Sequence, residues 1–399
     1  METRIVTNDI KPAAEIIRNG GLIAVPTETV YGLAGNGLDE QAVEKIYDVK
    51  GRPSVKPLSL MVPGIEAMDM YCLDVPEQAR ALAEKYWPGP LTIVLKARPE
   101  IPSIVLAGGT TVGLRCPDHP LTLELLRECA LPLAAPSANP SGEESPKDAQ
   151  KVIGYFDGKI DAVIDGGACG IGLESTIIDM SSTPYKILRK AALSEDDIAS
   201  TLAGSLKIVG ISGGTGCGKT TALLELIAHG ALILDCDEIY HELLSSSKEL
   251  IDELDSNYPG TVKDGILDRK ALGAVVFNDS AALEKLNKIT HKHVSIEVHR
   301  RLKKFAMDGG RIAAIDAIEL FSSGLDKICF TTVGVVADKE RRIERIMERD
   351  NISHEYAEMR VNAQHPASYF EERCEHILYN NADVEQYQED CRQLFKEIL

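Results

Sequence analysis

Apolar residues recur along this chain in two rhythms. Short β-branched runs that end in polar turns read as strands, and longer runs with apolar residues three and four apart read as helices. In the first half the strand pattern falls on 22–27, 57–62, 87–97, 111–117, 131–142, 162–167, 174–180 and 185–193. Helical spacing covers 39–50 and 121–129, and a short helix is expected from Asp9, its N-cap, to a stop at Gly20-Gly21. Strands and helices interleave irregularly, which predicts a mixed α/β sheet and not a regular doubly wound fold. In the second half, apolar strands are expected at 206–212, 231–240, 311–320 and 328–337, with helices between them. That alternation predicts a parallel sheet with crossover helices. Between the halves, 194–204 reads as a short helix with Ser194 as N-cap and Asp197 at N3. The expected domains are therefore 1–193 and 206–399, with 194–205 as linker.

At 399 residues the chain is long enough for two full cores. No apolar run reaches the ~18–20 residues that span a bilayer. The N-terminus has no signal-peptide apolar region, so a cytoplasmic location is expected. Nine cysteines, an odd number without a C-x-x-C pair, read as reduced and mostly buried. The formal net charge of −18 argues against general affinity for nucleic acid, which needs clustered Lys and Arg.

The sharpest chemical signal is Leu206–Thr221. A strand runs into Gly213, four residues, then Gly218-Lys219-Thr220, the G-x-x-x-x-G-K-[ST] phosphate-binding pattern, with a helix directly after. Backbone amides of Gly213, Gly216, Cys217 and Gly218 can wrap a β-phosphate at the helix N-terminus. Lys219 would reach the β- and γ-phosphates, and Thr220 would hold the Mg²⁺ that accompanies ATP. Asp235 and Asp237 close the next strand; Asp237 is either a base or magnesium-linked acid, or a helix N-cap. From Asp338 a basic helical stretch places Arg345 and Arg349 on one face, either solvated or part of a lid. His291 and His293 are two apart and share no helical face, so no metal site is expected there.

In the first half four loop regions carry candidate chemistry: Pro26–Gly32, Lys50-Gly51-Arg52-Pro53, Ser137-Ala138-Asn139, and Ser175-Thr176 with Arg189 downstream. Lys50 and Arg52 can bracket one anion, with Arg52 able to bind it bidentately. Ser137 and Asn139 offer a hydroxyl and an amide on one side of an extended segment. On spacing alone, both motifs also read as ordinary turns.

Taken in order, PTETVYGLAG, KIYDVKGRPSVKPLSLMV, WPGPLTIVL, VGLRCPDHP, APSANPSG, STIIDM and ILRKAAL resemble the YrdC-like threonylcarbamoyl-AMP synthase family over about residues 5–195. The resemblance implies condensation of L-threonine, bicarbonate and ATP to threonylcarbamoyl-adenylate and pyrophosphate. A separate tRNA threonylcarbamoyl transferase complex would use the product. By it, Lys50, Arg52, Ser137 and Asn139 form the catalytic set, and Thr27, Tyr31, Arg115 and Ser175 hold threonine. ATP would meet Lys50, Ser54, Thr111, Asn139, Ser145 and Arg189. The chain departs from the family at Met61, where some members carry histidine, at Lys190-Ala191 after Arg189, and at 141–144.

Residues 206–399 resemble dephospho-CoA kinase through GISGGTGCGKTT, DCDEIYHEL, DGILDRKALGAVVFND, LNKITHKHV, DAIELFSSGLD, VVADKERRIERIMERDNISHEYAEMRVNAQ and HILYNNAD. This implies ATP binding by Gly213, Gly216, Cys217, Gly218, Lys219, Thr220 and Thr221, Asp237 as base and Arg349 in a lid. Ile318–Ser322 replaces the family's Pro-Leu-Leu-Phe-Glu on the acceptor side, so dephospho-CoA and another small alcohol such as a nucleoside both stand as acceptors. The intact Lys219 and Asp237 speak against an inert regulatory domain. The whole reads as a two-domain α/β chain: a mixed, twisted YrdC-like domain followed by a parallel-sheet P-loop kinase domain. A rival from another class is an RNA-binding protein with a P-loop switch; the acidic balance and the 5% aromatic content oppose it. No membrane partner is expected.

Overall fold

Short strands of the first half assemble into one mixed sheet. In the computed structural model, which describes every residue except Met1, Asn8 and Asn278, two units separate: Met1–Ser205 with Met307–Gly309, and Leu206–Ala306 with Gly310–Leu399. The strands of the first unit are β1 (Arg4–Val6), β2 (Ile23–Val25), β3 (Gly32–Asn36), β4 (Ser59–Met61), β5 (Cys72–Leu73), β6 (Leu91–Ala97), β7 (Thr111–Arg115), β8 (Leu133–Ala134), β9 (Ala162–Ile164), β10 (Thr176–Asp179) and β11 (Lys186–Arg189). Their order is β1-β9-β2-β3-β8-β4-β7-β6-β10-β11, with β5 on β6. Parallel pairs such as β4·β7 and β6·β10 alternate with antiparallel pairs such as β2·β3 and β6·β7, so the sheet is mixed, as the irregular interleaving predicts. Ile17, Ile23, Val25, Leu125, Leu126 and Ile164 fill the core on one of its faces.

Three local differences from the sequence pattern have physical causes. The helix expected from Asp9 spans Lys11–Arg18 with Ile10 at the N-cap position; the Asp9 carboxylate accepts from the Lys11 amide, one residue too early to cap. The stretch Gly32–Asn36, which the strand pattern leaves out, is a buried strand. A Cβ at Gly35 would sit 2.9 Å from Leu22, so glycine there permits close packing that periodicity does not register. The segment 194–205 is a helix, Glu195–Gly204, with Ser194 Oγ accepting from the Asp197 amide at 3.1 Å as expected. It is integral to the first unit: Ile198 and Leu202 are buried, and Lys85 and Tyr86 bond to Thr201.

The second unit carries β12 (Lys207–Ser212), β13 (Leu232–Asp235), β14 (Val262–Lys263), β15 (Ile266–Leu267), β16 (Ile312–Asp316), β17 (Thr331–Val336) and β18 (His376–Tyr379). Five of them form an all-parallel sheet, β13-β16-β12-β17-β18, and β14·β15 is a separate hairpin. β12 is central and its chain order reverses direction beside β16, the topological switch point where parallel α/β sheets bind ligands. Val209, Ile211, Val333 and Val335 pack against Leu226 of helix Lys219–Ala228 and Phe395 of helix Val384–Ile398.

Candidate active sites

In the first unit, helix Glu40–Lys50 ends at Gly51, whose φ of +58° lets the chain reverse at once. That turn sets Lys50, the last helical residue, and Arg52 in separate places. Lys50 is buried, and its ammonium donates to the carbonyls of Ser137 and Asn139, 2.5 Å from the latter. Two backbone carbonyls thus fix the lysine against the Ser-Ala-Asn segment, bringing the two motifs together. Burial, with the Arg52 charge second, lowers the Lys50 ammonium to about 8. Arg52 donates to the Pro57 carbonyl at 3.1 Å, and burial lowers its guanidinium too. Asn139 is buried; its amide nitrogen donates to the Pro140 and Glu143 carbonyls, while its Oδ1 has no partner among the described residues.

A cavity of ≈ 170 Å³ opens beside this corner, and Tyr31, Arg52, Arg115, Ser137, Ser175 and Arg189 all line it. Arg115, at the end of β7, is nearly enclosed: it meets Glu28 Oε1 at 2.7 Å, Thr29 Oγ1 at 2.8 Å and the Gly89 carbonyl at 3.2 Å. Arg189, at the end of β11, donates from Nε to the Ser175 carbonyl at 2.9 Å and from Nη2 to Ser175 Oγ at 3.0 Å. Ser175 Oγ also meets Thr92 Oγ1 at 2.8 Å. Tyr31 donates to the Gly167 carbonyl at 2.8 Å, and burial pushes its phenol up to about 12. Met61 is buried on the wall where a histidine would have added a polar group.

Six of the expected residues lie off the cavity wall: Lys50 and Asn139, set in the corner beside it, and Thr27, Ser54, Thr111 and Ser145. Thr27 is buried in its own turn, donating to the Val30 carbonyl at 2.7 Å and accepting from the Thr29 and Val30 amides. Ser54 is exposed, Thr111 opens β7, and Ser145 donates to Glu174 at 3.2 Å. Sequence reasoning passed over two acids, Glu28 and Glu174, that tie down Arg115 and Arg189. Both stand inside segments already singled out, but nothing in their spacing says which cation they meet.

In the second unit, the glycine-rich loop joins β12 to helix Lys219–Ala228. Gly213 has φ +152° and Gly218 +102°; a Cβ would come 2.4 Å from the Val335 carbonyl at the first and 2.0 Å from Asn380 Nδ2 at the second. Four consecutive carbonyls are each held from behind: Thr215 by Arg342 Nε at 3.0 Å, Gly216 by Arg345 Nη1 at 3.2 Å, Cys217 by Asn380 Nδ2 at 2.8 Å and Gly218 by the Tyr387 hydroxyl at 3.2 Å. With its carbonyls so held, the loop leaves the first amides of the helix, which have no acceptor inside it, available to an anion.

Lys219 lies 3.1 Å from the Gly213 carbonyl and 3.3 Å from Asp316 Oδ1. Asp316 ends β16, in register with Asp235 of β13 and Ile211 of β12, so the sheet itself places two carboxylates beside the loop. Burial raises the Asp316 carboxyl. Asp235 is the N-cap of helix Cys236–Ser246, accepting from the Asp237 and Glu238 amides at 2.9 and 3.0 Å. Asp237 is therefore not the cap; it is exposed and lines a cavity of ≈ 140 Å³ with Tyr240, His291, Ile318 and Glu319. Thr220 is exposed at the mouth of the loop. Arg349 does not reach the loop: it pairs with Asp350 at 2.7 Å, whereas Arg342 and Arg345 of the same helix, Lys339–Asp350, hold it. No group of three or more His, Cys, Asp or Glu that could hold a metal by themselves is present among the described residues, and no helix among them is long and apolar enough to cross a membrane.

Each half matches a different family. The Sua5/YciO/YrdC family, described as telomere recombination, matches residues 15–191, and the dephospho-CoA kinase family matches residues 207–386. The first half is 43% identical over 205 residues to a threonylcarbamoyl-AMP synthase of Pyrococcus abyssi, covering 51% of this chain and 60% of that protein. It is 37% identical over 177 residues to a Methanocaldococcus jannaschii relative with the same activity in its name, covering 44% of this chain and 83% of the relative. The second half is 33% identical over 183 residues to a dephospho-CoA kinase of Fusobacterium nucleatum, covering 45% of this chain and 93% of that kinase. The chain spans about 60% of the length of the Pyrococcus protein.

Proposed function

Residues 15–191 belong to the Sua5/YciO/YrdC family and residues 207–386 to the dephospho-CoA kinase family, and on that footing we propose that this chain joins two ATP-dependent enzymes, one in each unit, and acts in the cytoplasm; the segment 194–205, expected as a linker, goes with the first. The first condenses L-threonine, bicarbonate and ATP to threonylcarbamoyl-AMP, pyrophosphate and water. Its product serves a downstream tRNA threonylcarbamoyl transferase complex. The observation that carries this reading is one small cavity walled by Arg52, Arg115 and Arg189, with Lys50 anchored beside it. Arg115 receives the threonine carboxylate through Nη1, its Nε and Nη2 being held by Gly89, Glu28 and Thr29, with Tyr31 and Ser175 shaping the space and Thr27 supporting the turn behind them. Lys50, Arg52 and Arg189 take up charge on the phosphates as the carbamate oxygen attacks the α-phosphorus and pyrophosphate leaves. Ser137 and the free Oδ1 of Asn139 bond to the adenylate, and Ser54, Thr111 and Ser145 complete the ATP contacts. Mass spectrometry of the purified chain with ATP, threonine and bicarbonate tests this; absence of threonylcarbamoyl-AMP and pyrophosphate overturns it.

The second enzyme transfers the γ-phosphoryl group of ATP to an alcohol of dephospho-CoA. Gly213, Gly216, Cys217, Gly218, Thr220 and Thr221 cradle the phosphates, and Lys219 bridges the β- and γ-groups. Asp237, free of capping duty and facing the neighbouring cavity, takes the proton of the attacking hydroxyl. Magnesium accompanying ATP would be held by Thr220 with Asp235 and Asp316; the two carboxylates stand in register at the ends of β13 and β16, and Asp316, now paired with Lys219 at 3.3 Å, would be freed as the lysine turns to the phosphates. When bound, the ion neutralises charge on the β- and γ-oxygens. Arg349 would join the phosphates only after leaving Asp350. Phosphorylation of nucleosides in place of dephospho-CoA would overturn the acceptor.

A further inference from the structure

The cavity of the first unit contains a carboxylate that the roles above leave unused. Glu174 lines it, pairs with Arg189 Nη1 and accepts from Ser145 Oγ at 3.2 Å. Its charge also acts on Lys50 and Arg52. Among the described residues of the cavity wall Glu174 is the one acid, set against Arg52, Arg115 and Arg189. In a pocket that takes polyphosphate alone, such an acid would only repel the ligand. An amino-acid substrate changes the requirement, because it brings a cation together with its carboxylate. Arg115 answers the carboxylate. Tyr31, Thr92 and Ser175 are neutral, which leaves Glu174 as the group of matching charge for the ammonium.

Resting on the synthase reading, we propose that Glu174 binds the ammonium of the amino-acid substrate and is released to it when ATP phosphates replace Glu174 on Arg189. The arginine need not move for this exchange. Its Nε and Nη2 stay on the carbonyl and hydroxyl of Ser175, at 2.9 and 3.0 Å, so only the Nη1 edge changes partner. Glu174 adjoins Ser175 in the chain, and Ser145 tethers its other side. Its side chain is 37% exposed, which leaves room to turn into the cavity. The two substrates are then coupled: each binds more tightly when the other is present, by the same factor.

Calorimetric titration of the full chain with L-threonine, with and without a non-hydrolysable ATP analogue, reads this directly. The wild type is expected to bind threonine more tightly with the analogue present, and to prefer threonine over 2,3-dihydroxybutanoate, which lacks the ammonium. In Glu174→Gln, threonine affinity falls on the order of 10- to 100-fold, the range of a lost charge-assisted hydrogen bond. Its affinity for the analogue alone holds or rises, and the preference and the coupling shrink; Glu174→Asp recovers part of each. Unchanged threonine affinity and preference in a folded Glu174→Gln would overturn the proposal. So would a rise in ATP KM alone, which would assign the acid to the nucleotide. A wild type that shows the threonine pattern but forms no pyrophosphate would overturn the synthase reading and uphold the ammonium site.

Discussion

Lys50 illustrates how a single residue's surroundings set both its duty and its pH range. Burial is the main cause that lowers its ammonium from the ordinary 10.5 to about 8, and Arg52 adds to it. Because the folded value lies below the unfolded one, the unfolded chain binds this proton more firmly between pH 8 and 10.5. Stability contributed by Lys50 therefore rises with pH across that window. On the proposed role activity should move the other way, since a neutral amine would not hold phosphate. The synthase kcat/KM for ATP is expected to fall as pH passes about 8, whereas kcat, which reports the complex, should fall at higher pH because bound phosphates favour the cation. A pH profile flat to 10 would show either that the Lys50 ammonium is not lowered or that it does not hold phosphate, and Lys50→Ala separates the two. Lys50→Ala or Arg52→Ala should each lower threonine-dependent pyrophosphate release by about 10²-fold or more; unchanged turnover in either would remove that residue from the catalytic set.

At the scale of elements, the glycine-rich loop depends on what stands behind it. Its sequence announces the strand, the turn and the helix, because glycine spacing and backbone strain are local properties. Four tethers that hold its carbonyls come from Arg342, Arg345, Asn380 and Tyr387, more than 120 residues further on in each case. No local pattern encodes such contacts. The same limit explains Arg345: helical spacing puts it on a face with Arg349, but only the packing of that helix decides that Arg345 meets the loop and Arg349 meets Asp350. In the first unit the irregular strand pattern and the Lys50 and Ser137 motifs were legible, whereas β3 hid behind its glycines and Glu174 behind its distance from Arg189. Removing a tether should loosen the loop without touching a phosphate. Asn380→Ala leaves the buried Cys217 carbonyl unpaired at a cost of about 1–3 kcal/mol. Its kinase KM for ATP is expected to rise about tenfold, with the acceptor KM unchanged. An unaltered ATP KM would mean that the other three tethers suffice.

For the whole molecule the question is whether the two proposed ATP-using sites in one chain act as one enzyme. Every residue that walls the first cavity lies between 30 and 189, and the glycine-rich loop with the cavity beside Asp237 lies between 213 and 325, each set inside its own unit. On the proposed roles the two sites would bind ATP by different physics. The first would rely on arginine and lysine side chains set around a cavity, the second on backbone amides at a helix N-terminus. Neither proposed product is a substrate of the other reaction. A substitution that disables one site should therefore leave the other at its wild-type rate. Lys219→Ala removes the cation between the Gly213 carbonyl and Asp316 and should lower phosphate transfer about 10²- to 10³-fold. Threonine-dependent pyrophosphate release by the same variant should stay within twofold of wild type, and Lys50→Ala should give the mirror result. Both assays run on both variants, at saturating ATP, decide the matter. A parallel loss of the two activities in either variant would mean that the sites are coupled despite their separate construction.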